Sequence, residues 1–217
     1  MAEVFVWLPG DPAQHHFFHG VAGHVAVQVS SNYYSFWPGR GKKMERSIGI
    51  FKAAPADFSK VSYEIDRRDM GYERDAAISI DGLNELAMAN EWDRIKGNAT
   101  RYELLSTNCC TVSGRLLHVG LVNTDKWQRT LERQAGRWLR ECLSITTSVS
   151  FTPTVAMHSI TPSVILYFAM LIKNANEGYS EPEDQVLRRV KEIYFKTHPW
   201  QKYFPSGVIA RLLGFFS

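Results

Sequence analysis

The 217-residue chain has only three cysteines, Cys109, Cys110 and Cys142, too few for a disulfide framework. Cys109 and Cys110 are a poor pair for each other, because bridging neighbours strains the intervening peptide, so the thiols read as reduced. An excess of one charge sign is also missing. Against 25 Lys and Arg stand 22 Asp and Glu, a net charge of +3 spread along the chain, which excludes the basic stripe that advertises a nucleic-acid partner. The opening Met1–Pro9 has no basic leader followed by a long apolar core, and so does not read as a signal peptide. The expectation is synthesis in the cytoplasm, with any export to a target-cell periplasm left to a specialised secretion system. Long hydrophobic runs are scarce as well. The most apolar stretch, residues 155–172, contains His158, Ser159, Thr161, Pro162 and Ser163 and sits at the short limit for a membrane span. It reads as a buried helix or hairpin, with membrane contact there or at Leu212–Phe216 the less favoured alternative. No internal repeat is visible. What the chain does have, 45% hydrophobic and 12% aromatic residues, suffices for one sizeable core with a smaller appended part.

Residues 4–8 read as a short buried strand stopped by Pro9 and Gly10. From His24, the residues Val25, Val27 and Val29 alternate with Ala26 and Gln28, the period of a strand with one face in the core. Ser30–Ser31–Asn32 is expected to turn the chain and Tyr33–Trp37 to return it, giving a hairpin with His24 at its entry. The segment 40–47 is basic and glycine-rich and reads as a loop. Strands are expected over 61–65 and 77–80, then a helix capped by Asp81, carrying Leu83, Leu86, Ala87 and Ile95, and stopped by Gly97. After Asn108, residues 109–120 read as a helix with Val112, Leu116 and Val119 on one side. A further helix is expected from 124 or 125 to 143, and the Ser- and Thr-rich segment 144–153 is the best boundary. The chain divides on this reading into a domain over 1–150 and a helical extension over 151–217.

Two residues stand in settings that suit chemistry. A thiol in the first turn of a helix, as predicted for Cys109, feels the positive end of the helix dipole, which favours thiolate. Unpaired backbone N–H groups at the same place are the donors that an oxyanion needs. His24, opening a core strand, is a suitable base for such a nucleophile. The competing constellation is His15, His16, His19 and His24 with the cysteines, which has the residue types of a zinc site but no recognised metal spacing. The expectation is no metal and no organic cofactor.

Gly23–Val29 followed by Tyr34–Pro38 resembles the histidine hairpin of permuted NlpC-type papain-like thiol hydrolases, and Tyr102–Val112 resembles their cysteine helix. Lecithin retinol acyltransferase-like enzymes, bacterial cell-wall peptidases and secreted toxins, type VI secretion effectors among them, belong to that group. Its histidine strand precedes its cysteine helix, as here, and the similarity covers roughly residues 20–120. The resemblance implies an α+β fold with an antiparallel sheet packed on the Cys109 helix. It also implies Cys109 as nucleophile, directly after Asn108, and His24 as general base. Cys110 is then a neighbour, with a lesser claim to be the nucleophile itself.

Relatives orient the histidine with a polar residue on the following strand. Equal hairpin arms would put apolar Phe36 there, so the nearest polar residue, Ser35, requires a one-residue bulge to face His24. Gln28, Asn108 and Trp37 are candidates for contacting substrate or oxyanion. The implied activity is cleavage of an amide bond, most simply in peptidoglycan peptides, by an antibacterial effector or cell-wall enzyme. An immunity protein or a secretion-machine component would be its partner. The alternatives are a lipid acyl hydrolase or acyltransferase and an inactive papain-like binding module.

Overall fold

The computed structural model describes residues 1–8, 23–39, 54–98, 101–103, 107–121, 161–177 and 182–197. Its fold is α+β, with antiparallel strands and helices packed around one main core. The expected helix over 124–143, the boundary at 144–153, the basic loop at 40–47, His15, His16, His19 and Cys142 all lie outside the described residues.

A four-stranded antiparallel sheet forms from β1 (Ala2–Trp7), β2 (His24–Val29), β3 (Asn32–Ser35) and β6 (Ala76–Ile80), in the order β3-β2-β1-β6. Central β1 is apolar on both faces apart from Glu3, because both of its faces are covered. One face, with Val4, Val6, Val25, Val27, Tyr34 and Ile80, belongs to the main core. The other carries Phe5, Trp7, Ala26 and Tyr33 in a second cluster with Trp37 and Met70. A smaller antiparallel sheet joins β4 (Trp37–Pro38), β5 (Ala54–Asp57) and β7 (Arg101–Tyr102), in the order β4-β5-β7.

Among the described residues up to 121, three helices flank the sheet. The first, α1 (Tyr63–Met70), lies where residues 61–65 read as a strand. Gly71 ends it in the left-handed conformation, φ +81°, and donates its N–H to Arg67 O at 3.0 Å. Helix α2 (Glu85–Asn98) starts later than the expected Asp81 cap. The Asn84 side chain accepts from Ala87 N–H at 3.0 Å, and Gly97 lies inside the last turn. Helix α3 (Cys109–Gly120) has the expected bounds.

Helix α4 (Pro162–Asn176) is buried at every position from Pro162 to Ile172 and packs against β1, β6 and α3. A helix apolar all round needs cover on all sides, which explains its lack of a polar face. Helix α5 (Glu183–Thr197) is amphipathic, seating Val186, Leu187 and Val190 while exposing Arg188 and Arg189, and it packs on α4. Among the described residues no helix is long and apolar enough to cross a membrane.

Candidate active site

The hairpin register decides which side chains meet His24. Val29 pairs with Asn32 and Ala26 with Ser35, so the turn is the two residues Ser30 and Ser31, with Ser30 at φ +52°. The expected turn was one residue longer. Shortening it moves every residue of the returning strand to the other face. Ser35, and not Phe36, therefore stands on the His24 side without any bulge, and Phe36 goes into the main core.

His24 opens β2 and is buried, flanked by two indoles. Its ring centroid lies 4.2 Å from that of Trp37 and 5.6 Å from that of Trp7. Beneath it lies a residue that the sequence reading passed over. Asp66 of α1 is completely buried, and its Oδ2 is 3.1 Å from His24 Nε2, 2.6 Å from Ser35 Oγ and 2.8 Å from the Tyr33 hydroxyl. Its Oδ1 accepts from Trp37 Nε1 at 2.8 Å. Ser35 Oγ is 2.9 Å from His24 Nε2 and accepts from Trp37 Nε1 at 2.8 Å.

These contacts fix the imidazole tautomer. Ser35 has one proton, and it points at Asp66, whose carboxylate can only accept. Toward His24, both Ser35 and Asp66 are then acceptors, so Nε2 carries a hydrogen and Nδ1 is the nitrogen available to the thiol.

On the thiol side, α3 presents Cys109 as its first residue. Asn108 caps the helix with extended backbone, φ −122° and ψ 178°. Its side chain accepts from Thr111 N–H at 2.9 Å while its own N–H donates to Thr111 Oγ1 at 2.9 Å. Asn108 thus fixes the helix start, and with it the position of the thiol. Ser113 Oγ, one turn on, reaches Val25 O at 3.5 Å and ties α3 to β2. Around Cys109 Sγ stand His24, the Val25 N–H, the Cys110 thiol at 3.9 Å and the Tyr102 hydroxyl at 3.9 Å. Tyr102 of β7 is held by its ring, stacked on Phe36 at 5.3 Å.

The electrostatics follow from these neighbours. The Cys109 thiol is held well below its usual range by its hydrogen bond with Cys110, and against the cost of burial by the charge and hydrogen bond of His24 and by the Val25 N–H. Burial works against a charged His24, but Asp66 and the Cys109 thiolate outweigh it and raise the imidazole to about 9. Burial likewise opposes ionised Asp66, yet His24, Ser35 and Tyr33 hold it below the ordinary carboxylate range. Burial pushes the Tyr33 hydroxyl upward, so it stays a donor. The directions of these shifts favour a thiolate–imidazolium pair backed by a carboxylate.

The structure thus brings together Cys109, His24, Ser35 and Trp37. Trp37 is buried and holds Asp66 and the imidazole, which is a positioning task and not the lining of a cleft. Gln28 stays apart, its amide donating to Ser30 O at 3.1 Å beside the turn. Asp66 and Tyr102 were not singled out by sequence as site residues, and Tyr33 only as an aromatic that could line a cleft. A signal for Asp66 did exist, since Tyr63, Asp66 and Met70 recur at helical spacing just before Gly71, which places a carboxylate on the apolar face of a short helix. Among the described residues no cluster of three or more His, Cys, Asp or Glu side chains is arranged to hold a metal.

Residues 50–125 match the family described as the IcsB middle domain. That segment holds Asp66, Tyr102 and Cys109 but ends short of His24 on the N-terminal side. Among curated proteins and solved structures, nothing matches the chain.

Proposed function

We propose that this chain is a papain-like cysteine hydrolase that passes an acyl group through a Cys109 thioester. The observation that carries the reading is His24 held between the Cys109 thiol and the buried carboxylate of Asp66. The Cys109 thiolate attacks the carbonyl carbon of an amide. The charge that develops on the carbonyl oxygen is met by the Cys109 N–H at the helix N-terminus, with the Tyr102 hydroxyl beside the sulfur as a second donor. The imidazolium gives its Nδ1 proton to the leaving amine, and the same nitrogen then takes a proton from the water that releases the acid. Asp66 keeps Nε2 protonated through the cycle. The intact constellation speaks against an inactive binding module.

The order of histidine strand and cysteine helix supports a permuted papain-like arrangement. The match to the IcsB middle domain, a domain of a bacterial effector, supports an effector setting. The proposed substrate is the amide linkage of peptidoglycan peptides, with an immunity protein as the natural partner in a producing cell. A second reading, transfer or hydrolysis of lipid acyl groups, is favoured by the aromatic side chains Phe36, Phe58 and Trp92 that continue from Tyr102.

One experiment separates the two. Purified peptidoglycan and phosphatidylcholine vesicles are each incubated with wild type and with Cys109→Ala, and products and intact protein mass are recorded. Muropeptide products that require Cys109 support the first reading. An acyl adduct on Cys109 from the vesicles supports the second. Absence of both, with Cys109 unreactive toward iodoacetamide, overturns cysteine catalysis.

A further inference from the structure

Among the described residues, the vicinal thiol is the buried nucleophilic group beside the site that the mechanism leaves without a task. Cys110 occupies the second position of α3 and is 3% exposed. Its sulfur is 3.9 Å from that of Cys109. His24 approaches Cys109 from the start of β2, whereas Cys110 and Tyr102 approach from the helix and from β7. We infer that Cys110 is a positioning residue whose S–H donates to the Cys109 thiolate, anchoring the sulfur while His24 is free to carry its proton to the leaving group.

The inference rests on the proposed role of Cys109 as nucleophile. Three features favour Cys110 as donor over acceptor or rival nucleophile. Cys109 is the sulfur that shares His24, so the negative charge resides there. Burial, and the neighbouring Cys109 charge, hold the Cys110 thiol well above its usual range and therefore protonated. A protonated thiol against a thiolate has only one way to bond, with its hydrogen toward the charge. The donor is weak and polarisable, so it stabilises the anion at only a modest cost in nucleophilicity.

The test is the pH dependence of iodoacetamide alkylation of Cys109, located by fragment-ion mass spectrometry of the peptide that holds both cysteines. Wild type, Cys110→Ala and Cys110→Ser are compared, with near-UV circular dichroism confirming that each is folded. Cys110→Ala should move the midpoint of Cys109 alkylation up by about one pH unit, so that below both midpoints it reacts about tenfold more slowly than wild type. Above both midpoints it should react at least as fast as wild type, because a thiolate relieved of a donor is the stronger nucleophile. Cys110→Ser, which keeps a donor, should retain the low midpoint. An unshifted midpoint in folded Cys110→Ala overturns the inference while leaving Cys109 as nucleophile. Loss of rapid labelling in both variants, with wild-type label found on Cys110, overturns it in favour of Cys110 as nucleophile. An ordinary midpoint near 8.5 in wild type overturns the functional reading on which it rests.

Discussion

His24 and Asp66 show how buried side chains support each other's charge, with Cys109 also holding the imidazolium and Ser35 and Tyr33 also holding the carboxylate. A buried imidazole left to itself would lose its proton more readily than one in water. Here Asp66 and the thiolate keep it charged up to about pH 9, against an ordinary value of 6.5. On the proposed mechanism, the competent pair spans the lowered Cys109 range to the raised His24 range. The pH profile of kcat/KM should accordingly be bell-shaped, with an ascending limb well below 9 and a descending limb near 9. Asp66→Asn removes the charge that opposes burial, so the descending limb should fall toward 6.5 or below. It should also reduce kcat/KM by on the order of 10²–10⁴, as expected when a histidine loses its orienting carboxylate. A profile of Asp66→Asn with its alkaline limb still near 9 would assign that limb to another group. Ser35→Ala should be milder than Asp66→Asn, because Trp37, Tyr33 and His24 still hold the carboxylate. Of these residues, the sequence pointed to His24, Ser35 and Trp37. It did not reveal Asp66 because a carboxylate is ordinarily read as solvated, and only the donors converging on it show otherwise.

Among the elements, the segment that follows α1 is joined to the end of β1 by a small polar clasp. Trp7 Nε1 donates to Tyr72 O at 3.1 Å, the Tyr72 hydroxyl donates to Leu8 O at 2.7 Å, and Leu8 N–H donates to Asp75 Oδ2 at 2.6 Å. Burial raises the Asp75 carboxyl from 3.8 to about 6, offset in part by the Leu8 N–H. A carboxyl that holds its proton more tightly folded than unfolded contributes stability that is present below 3.8 and lost as pH rises through 6. Asp75→Asn keeps an acceptor for Leu8 and removes the charge. Urea unfolding should find it more stable than wild type by about 1–2 kcal/mol at pH 8, a figure reduced for solvent screening of a half-buried group, with the gain gone at pH 4. Helix packing offers a second element-scale check. A Cβ on Gly120, the last residue of α3, would stand 2.9 Å from Met88 Sδ and 3.0 Å from its Cγ on fully buried Met88 of α2. Gly120→Ala should destabilise by about 1–3 kcal/mol, since Met88 has little room to yield. The element boundaries that the sequence placed well, β2 and α3, carry strong alternation or a strong cap. The strand expected over 61–65 failed because its short alternation fits either period, and Gly71 decided for a helix.

Taken whole, the molecule assembles its site across the sheet. The thiol comes with α3 from the face that holds the main core, the carboxylate comes with α1 from the opposite face, and the imidazole at the first position of β2 spans the two. Stability of the site thus depends on both layers. Helix α4 supplies much of the first, covering β1, β6 and α3 with side chains from Val164 to Ile172. Truncation after residue 150 should therefore yield a chain that binds a hydrophobic dye and lacks near-UV circular dichroism, whereas a well-folded and reactive truncate would make 151–217 dispensable. What the sequence determined by itself is local: the alternation of β2, the capped start of α3 at Cys109, and the apolar content of 162–172. Each is written in neighbouring residues through a period or a cap. The tertiary structure alone decided that Ser35 faces His24, because a register depends on the length of a turn. It also decided that Asp66 completes the site, because a carboxylate 42 residues from His24 becomes its partner only when two helices and a sheet are packed.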